Sequence, residues 1–241
     1  MITSRQNSFI KEIRALADKK ARDKSGTYIA EGVKMVKEAT TLNSVDVLFV
    51  VGTVGALSKI DCSSDKKIEV NESVFSSIST EVSPEGVLAV IKKPSTEIVS
   101  PTGKCLFLDG VSDPANVGAI IRTAVCAGFK EIYCSKTADP FSPKSVRASM
   151  GGIYRAKIVQ GEKQNLINSI DLPFIVADMN GENIFDFSCG KDFCLVIGSE
   201  ANGVSGELKN KADYTVSIPM QNGMESLNAS VSAGILMYLL K

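Results

Sequence analysis

The stretch CLFLDGVSDPANVGAIIRTA, residues 105–124, sets the pattern of the larger part of the chain. An apolar run typical of a buried strand is followed by a polar loop and then by a segment with helical spacing. The same alternation continues to the C-terminus, with apolar runs at 131–135, 156–160, 174–178, 193–200 and 214–220 and helical segments near 143–150 and from about 226. It predicts an α/β fold: a mostly parallel sheet with helices on both faces.

The N-terminal part of the chain predicts a smaller α/β unit. It begins with a basic amphipathic helix and contains two further apolar runs, 45–51 and 87–91, which predict strands. The stretch that follows contains two prolines, a glycine and scattered polar residues, a composition typical of a linker. We therefore predict one domain at 1–92, a linker at 93–104 and a second domain at 105–241.

The composition is that of an ordinary globular protein, with 44% hydrophobic and 22% charged residues among 241. The longest apolar run is far shorter than a membrane span, and the charged N-terminus contains no apolar signal region. None of the six cysteines forms a CxxC pair, and most lie in apolar runs, which favours buried reduced thiols. We therefore expect a cytoplasmic protein with no membrane segment.

The chain contains no histidine, which constrains its chemistry. With no histidine and no cysteine cluster, no metal site is expected. A general base would have to be Asp, Glu, Lys, Cys, Tyr, an activated hydroxyl or a group on the substrate.

The net charge is zero but unevenly distributed. Residues 1–24 contain seven Lys or Arg and three acids, hence +4, and the remainder of the chain carries −4. A basic N-terminal helix on a mildly acidic body favours an anionic partner. The alternative is an ordinary solvated helix face.

Three polar loops follow three of the predicted strands, in the segments 109–122, 198–208 and 218–230. In a parallel sheet the carboxyl ends of the strands form the usual ligand-binding edge. Each loop joins glycines to carboxamide, hydroxyl or carboxylate groups. Taken singly, each is equally explained by helix caps and turns, with Asn116 and either Ser226 or Asn228 as caps. The loop after 194–197 does not match GxGxxG, which disfavours a dinucleotide site.

Taken together, these loops resemble a known family. The segments NVGAIIRTA (116–124), LVIGSEANGVS (195–205) and IPMQNGMESLNASVSAG (218–234) are similar, in order and spacing, to the three motifs of the SpoU (TrmH-type) RNA ribose 2′-O-methyltransferases of the SPOUT superfamily. The N-terminal part resembles that family's small RNA-substrate-binding domain, which has a ribosomal-protein-like α/β fold. The resemblance implies a C-terminal trefoil knot, S-adenosylmethionine as cofactor and a homodimer formed through the knotted domain.

The resemblance also implies the site residues. Residues expected to hold the cofactor are Ile197, Gly198, Ile218, Met220 and Leu227. The expected catalytic residues are Arg122, Asn116, Glu200, Ser226 and Asn228. Asn116, Ser226 and Asn228 would orient Arg122 and the ribose, whereas Glu200 would either accept a proton or anchor its loop.

Arg122 is expected beside the ribose 2′-hydroxyl, but its guanidinium is a poor base because its pKa is above about 12. We expect it to hold the adjacent phosphate and to stabilise the developing alkoxide instead. The proton would then pass to the phosphate, to Glu200 or to water.

Basic side chains are expected to contact RNA phosphates. The candidates are Arg5, Arg14, Lys19, Lys20, Arg22, Lys24, Lys144, Arg147 and Arg155. The separate substrate-binding domain favours ribosomal RNA over transfer RNA, by analogy. Other possibilities are a transfer-RNA 2′-O-methyltransferase, a catalytically inactive RNA-binding protein of the same fold, and a nucleotide-dependent enzyme with a doubly wound sheet.

Overall fold

The computed structural model describes residues 1–95, 97–224 and 226–240. The chain divides into two compact units. The first contains Met1–Pro94 and Phe141–Tyr154, and the second contains Ser95–Pro140 and Arg155–Lys241.

The first unit is built on a four-stranded sheet. Its strands are β1 (Thr27–Glu31), β2 (Val47–Gly52), β3 (Lys67–Glu69) and β4 (Val87–Lys92), and its helices are α1 (Ser8–Ala15), α2 (Lys19–Ser25), α3 (Val33–Thr41), α4 (Val54–Leu57) and α5 (Glu72–Phe75). The strand order is β1-β4-β2-β3; β4 is antiparallel to β1 and β2, while β3 is parallel to β2.

Helix α1 begins at Asn7, whose side chain accepts a hydrogen bond from Phe9 N at 3.0 Å. Ile10 and Ile13 on its inner face are buried in the core of this unit, so the predicted amphipathic helix is confirmed. Glu85 ends the loop that precedes β4, and its carboxylate accepts a hydrogen bond from Val33 N at 2.6 Å. This carboxylate satisfies one of the free N–H groups at the start of α3.

The segment Phe141–Tyr154 belongs to the first unit although residues on both sides of it in the chain belong to the second. It contains α7 (Pro143–Ser149) and a short 3-10 helix (Gly152–Tyr154). Phe141 packs against Tyr28 with ring centroids 5.1 Å apart, and the Tyr154 hydroxyl donates to Met35 O at 3.2 Å. The sequence predicts this helix within a second domain at 105–241, whereas its contacts lie in the first unit, because Phe141 and Tyr154 pack on residues far earlier in the chain.

The second unit is a six-stranded, fully parallel sheet. Its strands are β5 (Cys105–Asp109), β6 (Glu131–Ser135), β7 (Lys157–Gln160), β8 (Phe174–Asn183), β9 (Cys194–Gly198) and β10 (Tyr214–Ser217), and its helices are α6 (Pro114–Cys126), α8 (Lys163–Asn168), α9 (Gly206–Lys211) and α10 (Ala229–Leu239). The strand order is β10-β8-β9-β5-β6-β7, and each neighbouring pair is parallel. This confirms the predicted α/β class and parallel sheet.

Two local features differ from the sequence prediction. Helix α10 begins at Ala229 rather than near 226, because the Asn228 side chain caps it by accepting from Ser230 N at 2.9 Å. Helices α8 and α9 are too short to give a clear apolar period and were not predicted. Within the described ranges, every helix falls short of the length and apolarity needed to cross a bilayer.

Candidate cofactor and catalytic site

The three polar loops lie at one edge of the parallel sheet of the second unit. They follow β5, β9 and β10, and the carboxyl ends of parallel strands meet at the same edge. Strands β5 and β9 are neighbours, with Asp109 in register with Gly198, so the first two loops start side by side.

One buried carboxamide connects all three loops. The side-chain nitrogen of Asn116 donates to Glu200 Oε1 at 2.6 Å, and the Asn116 oxygen accepts from the side-chain nitrogen of Asn228 at 3.1 Å. Asn116 is only 9% exposed, so these partners satisfy an amide that is largely removed from water. The alternative role of Asn116 as a helix cap is wrong: the cap of α6 is Asp113, whose side chain accepts from Ala115 N at 2.9 Å.

Arg122 lies on the same helix but outside this network. It is six residues after Asn116, hence about 9 Å further along the helix axis. Its side chain is exposed, and within the described part of the chain it makes no hydrogen bond or ion pair. The guanidinium is therefore available to a ligand. Ser226 is also exposed and lies before the cap of α10.

The loop after β9, residues 198–205, requires a glycine at its first position. A Cβ on Gly198 would overlap the backbone of Gly203 and Val204, because the loop folds directly back on itself. Two backbone hydrogen bonds close it: Ser199 N to Gly203 O at 3.1 Å and Gly203 N to Ser199 O at 2.9 Å. Because the backbone of Gly203 and Val204 lies so close to Gly198, this part of the sheet edge presents backbone polar groups rather than a side chain.

The other residues expected at the cofactor site are apolar. Ile197 is buried at the end of β9, Ile218 and Met220 are half-buried after β10, and Leu227 is 40% exposed. Partly open apolar side chains beside backbone amides and carbonyls form a surface that fits a nucleoside, with a flat apolar base and a polar ribose. The residues at this edge therefore fit S-adenosylmethionine.

Sequence reasoning missed a buried ion pair at the same edge. Asp109 Oδ1 lies 2.7 Å from Lys163 Nζ, and both side chains are largely buried. Burial alone would raise the pKa of Asp109, but hydrogen bonds from Lys163 and Ser205 lower it below its ordinary value. The sequence contained one indication of this pair, a carboxylate as the last residue of an apolar strand. It contained no indication for Lys163, because that residue begins α8, a helix that was not predicted.

The basic residues expected to contact RNA divide into buried and exposed groups. Arg22 is only 2% exposed and donates to the carbonyls of Leu16 and Ala17 at 2.8 and 2.7 Å. The predicted RNA contact of Arg22 is therefore corrected: this guanidinium caps the end of α1 and presents no surface to a phosphate.

Several of the other basic residues have internal partners. Arg5 and Arg14 donate to the carbonyls of Ser73 and Ser77 at 3.0 and 2.8 Å. Lys19 forms an ion pair with Asp23, and Arg147 forms one with Glu81. The exposed side chains nevertheless include those of Arg5, Arg14 and Lys19, together with Lys20, Lys24, Lys144 and Arg155, whereas Arg147 is half-buried. Lys144 and Arg155 also have internal interactions.

No candidate metal site is formed by residues 1–95, 97–224 and 226–240. No three histidine, cysteine or carboxylate residues there are grouped so as to hold a metal ion.

Comparison with known proteins agrees with this geometry. Residues 103–238 match the SpoU rRNA Methylase family, and residues 7–89 match the MRM3-like substrate binding domain. The chain is 29% identical to the 23S rRNA (guanosine(2553)-2′-O)-methyltransferase RlmP of Bacillus subtilis, over 100% of this chain and 98% of that protein.

Two solved structures are similar over nearly the whole chain. A putative RNA methyltransferase of the TrmH family from Porphyromonas gingivalis is 30% identical, with a TM-score of 0.86, covering 99% of this chain and 98% of that one. The AdoMet-bound rRNA methyltransferase of Sinorhizobium meliloti is 29% identical, with a TM-score of 0.87, covering 99% and 95%. With a family match over more than half of its residues, the chain belongs to the SpoU rRNA methylase family, whose members are S-adenosylmethionine-dependent RNA methyltransferases.

Proposed function

We propose that this protein transfers a methyl group from S-adenosylmethionine to a ribose 2′-hydroxyl of ribosomal RNA. The observation that carries the proposal is the Asn116 amide, which bonds to Glu200 and Asn228 and so joins the three family motifs at one sheet edge. The relative in Bacillus subtilis is named as a 23S rRNA 2′-O-methyltransferase, which supports ribosomal over transfer RNA as the substrate.

The protein's part in the reaction is to bind and to orient. When bound, S-adenosylmethionine supplies an already activated methyl group. The loops held by Asn116 fix the geometry in which the 2′-oxygen attacks in line with the bond that breaks. We assign the cofactor contacts to Ile197, Gly198, Ile218, Met220 and Leu227.

Arg122 acts on the RNA side of the site. Its exposed guanidinium makes no hydrogen bond or ion pair within the described chain, so it can hold a backbone phosphate and stabilise negative charge on the 2′-oxygen. The proton leaves to the phosphate, to water or to Glu200. One Glu200 oxygen is committed to Asn116, so this side chain anchors the loop whether or not it also takes the proton.

The first unit is proposed to bind the RNA around the target nucleotide. Its family match is a substrate-binding domain, and α2 exposes Lys20 and Lys24, which lie four residues apart on one helix face. Lys144 in the same unit, and separately Arg155 in the second unit, are further exposed cations for phosphate contacts.

We also propose that two copies of the chain associate through α10. Val231, Ile235 and Tyr238 follow helical spacing on one face, and Val231 and Tyr238 are 49% and 52% exposed. The buried Ala233, Leu236 and Met237 lie on the opposite face. A helix that is apolar all round is expected to be covered on both faces, and a second copy is the partner that the family resemblance implies.

Two further family properties remain proposals. The trefoil knot would thread the segment after β10 through a preceding loop. A cytoplasmic location is supported by the six cysteines, all of which are free thiols.

The direct test is methyl transfer from isotope-labelled S-adenosylmethionine to ribosomal and transfer RNA from cells lacking the gene, followed by nucleoside analysis. Labelled 2′-O-methyl nucleoside in ribosomal RNA is expected. Label only in transfer RNA would make this a transfer-RNA enzyme. A third outcome is that the protein binds the cofactor but labels neither RNA, and also fails to label ribosome assembly intermediates. That outcome would favour the catalytically inactive RNA-binding protein.

A further inference from the structure

The buried ion pair between Asp109 and Lys163 is more than a bond between two elements. Asp109 ends β5 and Lys163 begins α8, and their side chains are 5% and 12% exposed. Removing two charges from water costs free energy that their attraction only partly returns, so such a pair needs further hydrogen bonds to be stable.

Both charged groups find those further bonds on one residue, Ser205. Its backbone N–H donates to Asp109 Oδ2 at 2.8 Å, and its hydroxyl accepts from Lys163 Nζ at 2.8 Å. Ser205 is the cap residue of α9, yet its hydroxyl makes no bond within that helix. The hydroxyl accepts from Lys163 instead. The ion pair therefore binds Ser205, the last residue of the 198–205 loop, through two hydrogen bonds.

The 198–205 loop is thereby fixed at three points. It starts at Gly198, where the returning backbone of Gly203 and Val204 leaves no room for a Cβ. Its middle is held by Glu200, which accepts from Asn116 at 2.6 Å. Its end is held by Ser205, so a shift of Ser205 would move Glu200 relative to Asn116 through only five residues of chain.

We propose that Lys163 is a positioning residue that, through Asp109 and Ser205, holds the 198–205 loop in its cofactor-binding conformation. The inference rests on the proposed function in that it takes this loop as part of the cofactor site. Lys163 itself touches no reacting atom. Without this ammonium, the buried Asp109 carboxylate would lose its cationic partner and keep the hydrogen bonds from Ser205, and the end of the loop would relax.

The test compares Lys163→Met with the matched variant Lys209→Met. Methionine keeps the length of the side chain and removes its charge. The Lys209 side chain also pairs with an aspartate of the second unit, Asp178. Its link to the 198–205 loop is the backbone N–H, which donates to Ser205 O at 3.0 Å and is kept in the methionine variant. Two measurements are made on each full-length protein: amide hydrogen exchange without cofactor, and calorimetric binding of S-adenosylhomocysteine.

In Lys163→Met, exchange at residues 199–205 is expected to accelerate about tenfold, and the dissociation constant is expected to rise about tenfold. Lys209→Met should match wild type in both measurements. Lys163→Arg should restore most of the protection, because it keeps the positive charge. In the methyl-transfer assay, the KM for S-adenosylmethionine should rise more than kcat falls.

Wild-type exchange at 199–205 in Lys163→Met would overturn the proposal. If that variant does not fold, Ser205→Ala serves instead, since it removes only the hydroxyl acceptor; an unchanged dissociation constant and unchanged exchange there would overturn it equally. A different result would separate this proposal from the proposed function. If exchange accelerates in Lys163→Met but the wild-type protein binds no S-adenosylhomocysteine, then Lys163 does hold the loop, and the assignment of the loop to a cofactor site is refuted.

Discussion

The side-chain nitrogen of Asn228 lies 3.1 Å from the side-chain oxygen of Asn116, although 112 residues separate them in the chain. The opposite end of the Asn116 amide bonds to Glu200, so one side chain uses its donor and its acceptor to join two distant loops to its own. A neutral carboxamide can donate on one side and accept on the other, whereas an ionised carboxylate of the same shape can only accept.

Substitution of Asn116 by aspartate is therefore expected to be strongly dependent on pH. At pH 8 the new carboxylate would face Glu200 at hydrogen-bond distance, and the repulsion should weaken S-adenosylhomocysteine binding about tenfold or more. Near pH 5 the two carboxyls can share a proton, which should restore part of the affinity.

The matched variant is Asn116→Ala, which loses both hydrogen bonds but introduces no charge. Calorimetric titrations from pH 5 to 8 should show a pH-independent loss in Asn116→Ala and a pH-dependent loss in Asn116→Asp. Parallel curves for the two variants would contradict the contact between residue 116 and Glu200.

Replacement of Arg122 by alanine is expected to lower kcat by about 100-fold while leaving the dissociation constant of S-adenosylhomocysteine within about twofold of wild type. Among the described residues the guanidinium makes no hydrogen bond or ion pair with the three loops, so its loss should not disturb them. Single-turnover methyl transfer and calorimetry provide the two numbers. An equal loss of cofactor affinity would place Arg122 in the cofactor site rather than beside the RNA.

Replacement of Tyr238 by aspartate is expected to convert a dimer into a monomer. A carboxylate on the apolar outer face of α10 would have to be buried without a partner if a second copy covered that face. Light scattering after size-exclusion chromatography measures the mass directly. A wild-type protein that elutes as a monomer would refute the proposed association.

No more than three of the six thiols should react with a disulfide reagent in the native protein. Cys105, Cys134 and Cys194 are buried, whereas Cys126 is exposed and Cys62 and Cys189 are half-buried. Burial raises the pKa of Cys134 to about 12, so its thiolate is scarce at neutral pH. Thiol counting with and without denaturant, followed by peptide mapping, identifies the reactive set; labelling of Cys105 before unfolding would contradict the buried assignment.

Ser135 and Ser149 are both buried serines, but they should respond differently to alanine. Within the described residues the Ser135 hydroxyl has no hydrogen-bond partner, so its removal should change the free energy of unfolding by less than about 0.5 kcal/mol or stabilise the protein. The Ser149 hydroxyl donates to Val146 O at 2.7 Å, and its loss should cost about 1 kcal/mol. Urea titration gives both values; a clear destabilisation in Ser135→Ala would reveal a bound water or ligand at that hydroxyl.

The regular elements of the second unit were largely predictable because their physical signals are local. Strands such as β5 and β6 are buried along their whole length and therefore appear as unbroken apolar runs. The loops that carry Asn116, Glu200 and Asn228 were also found, since glycines and polar groups follow these strands directly.

What the sequence did not reveal depends on contacts between residues distant in the chain. The residues next to an arginine in the sequence do not determine whether its side chain is exposed. Arg22 was therefore grouped with the surface cations, although its buried side chain donates to carbonyls at the end of α1. Lys163 and Asp109 are 54 residues apart, and neither belongs to a motif that pairs them. Such pairings become visible only when the fold brings their elements together.

The excursion of residues 141–154 into the first unit means that the polypeptide passes between the units three times, at 94–95, 140–141 and 154–155. A fragment ending at residue 94 would lack the aromatic cover of Tyr28, and one starting at residue 95 would carry Phe141 and Tyr154 without their partners. The first unit is therefore discontinuous in sequence, and no single cut in the chain separates the two units. Exchanging the first unit for that of a relative would require transplanting two separate stretches of gene, 1–94 and 141–154.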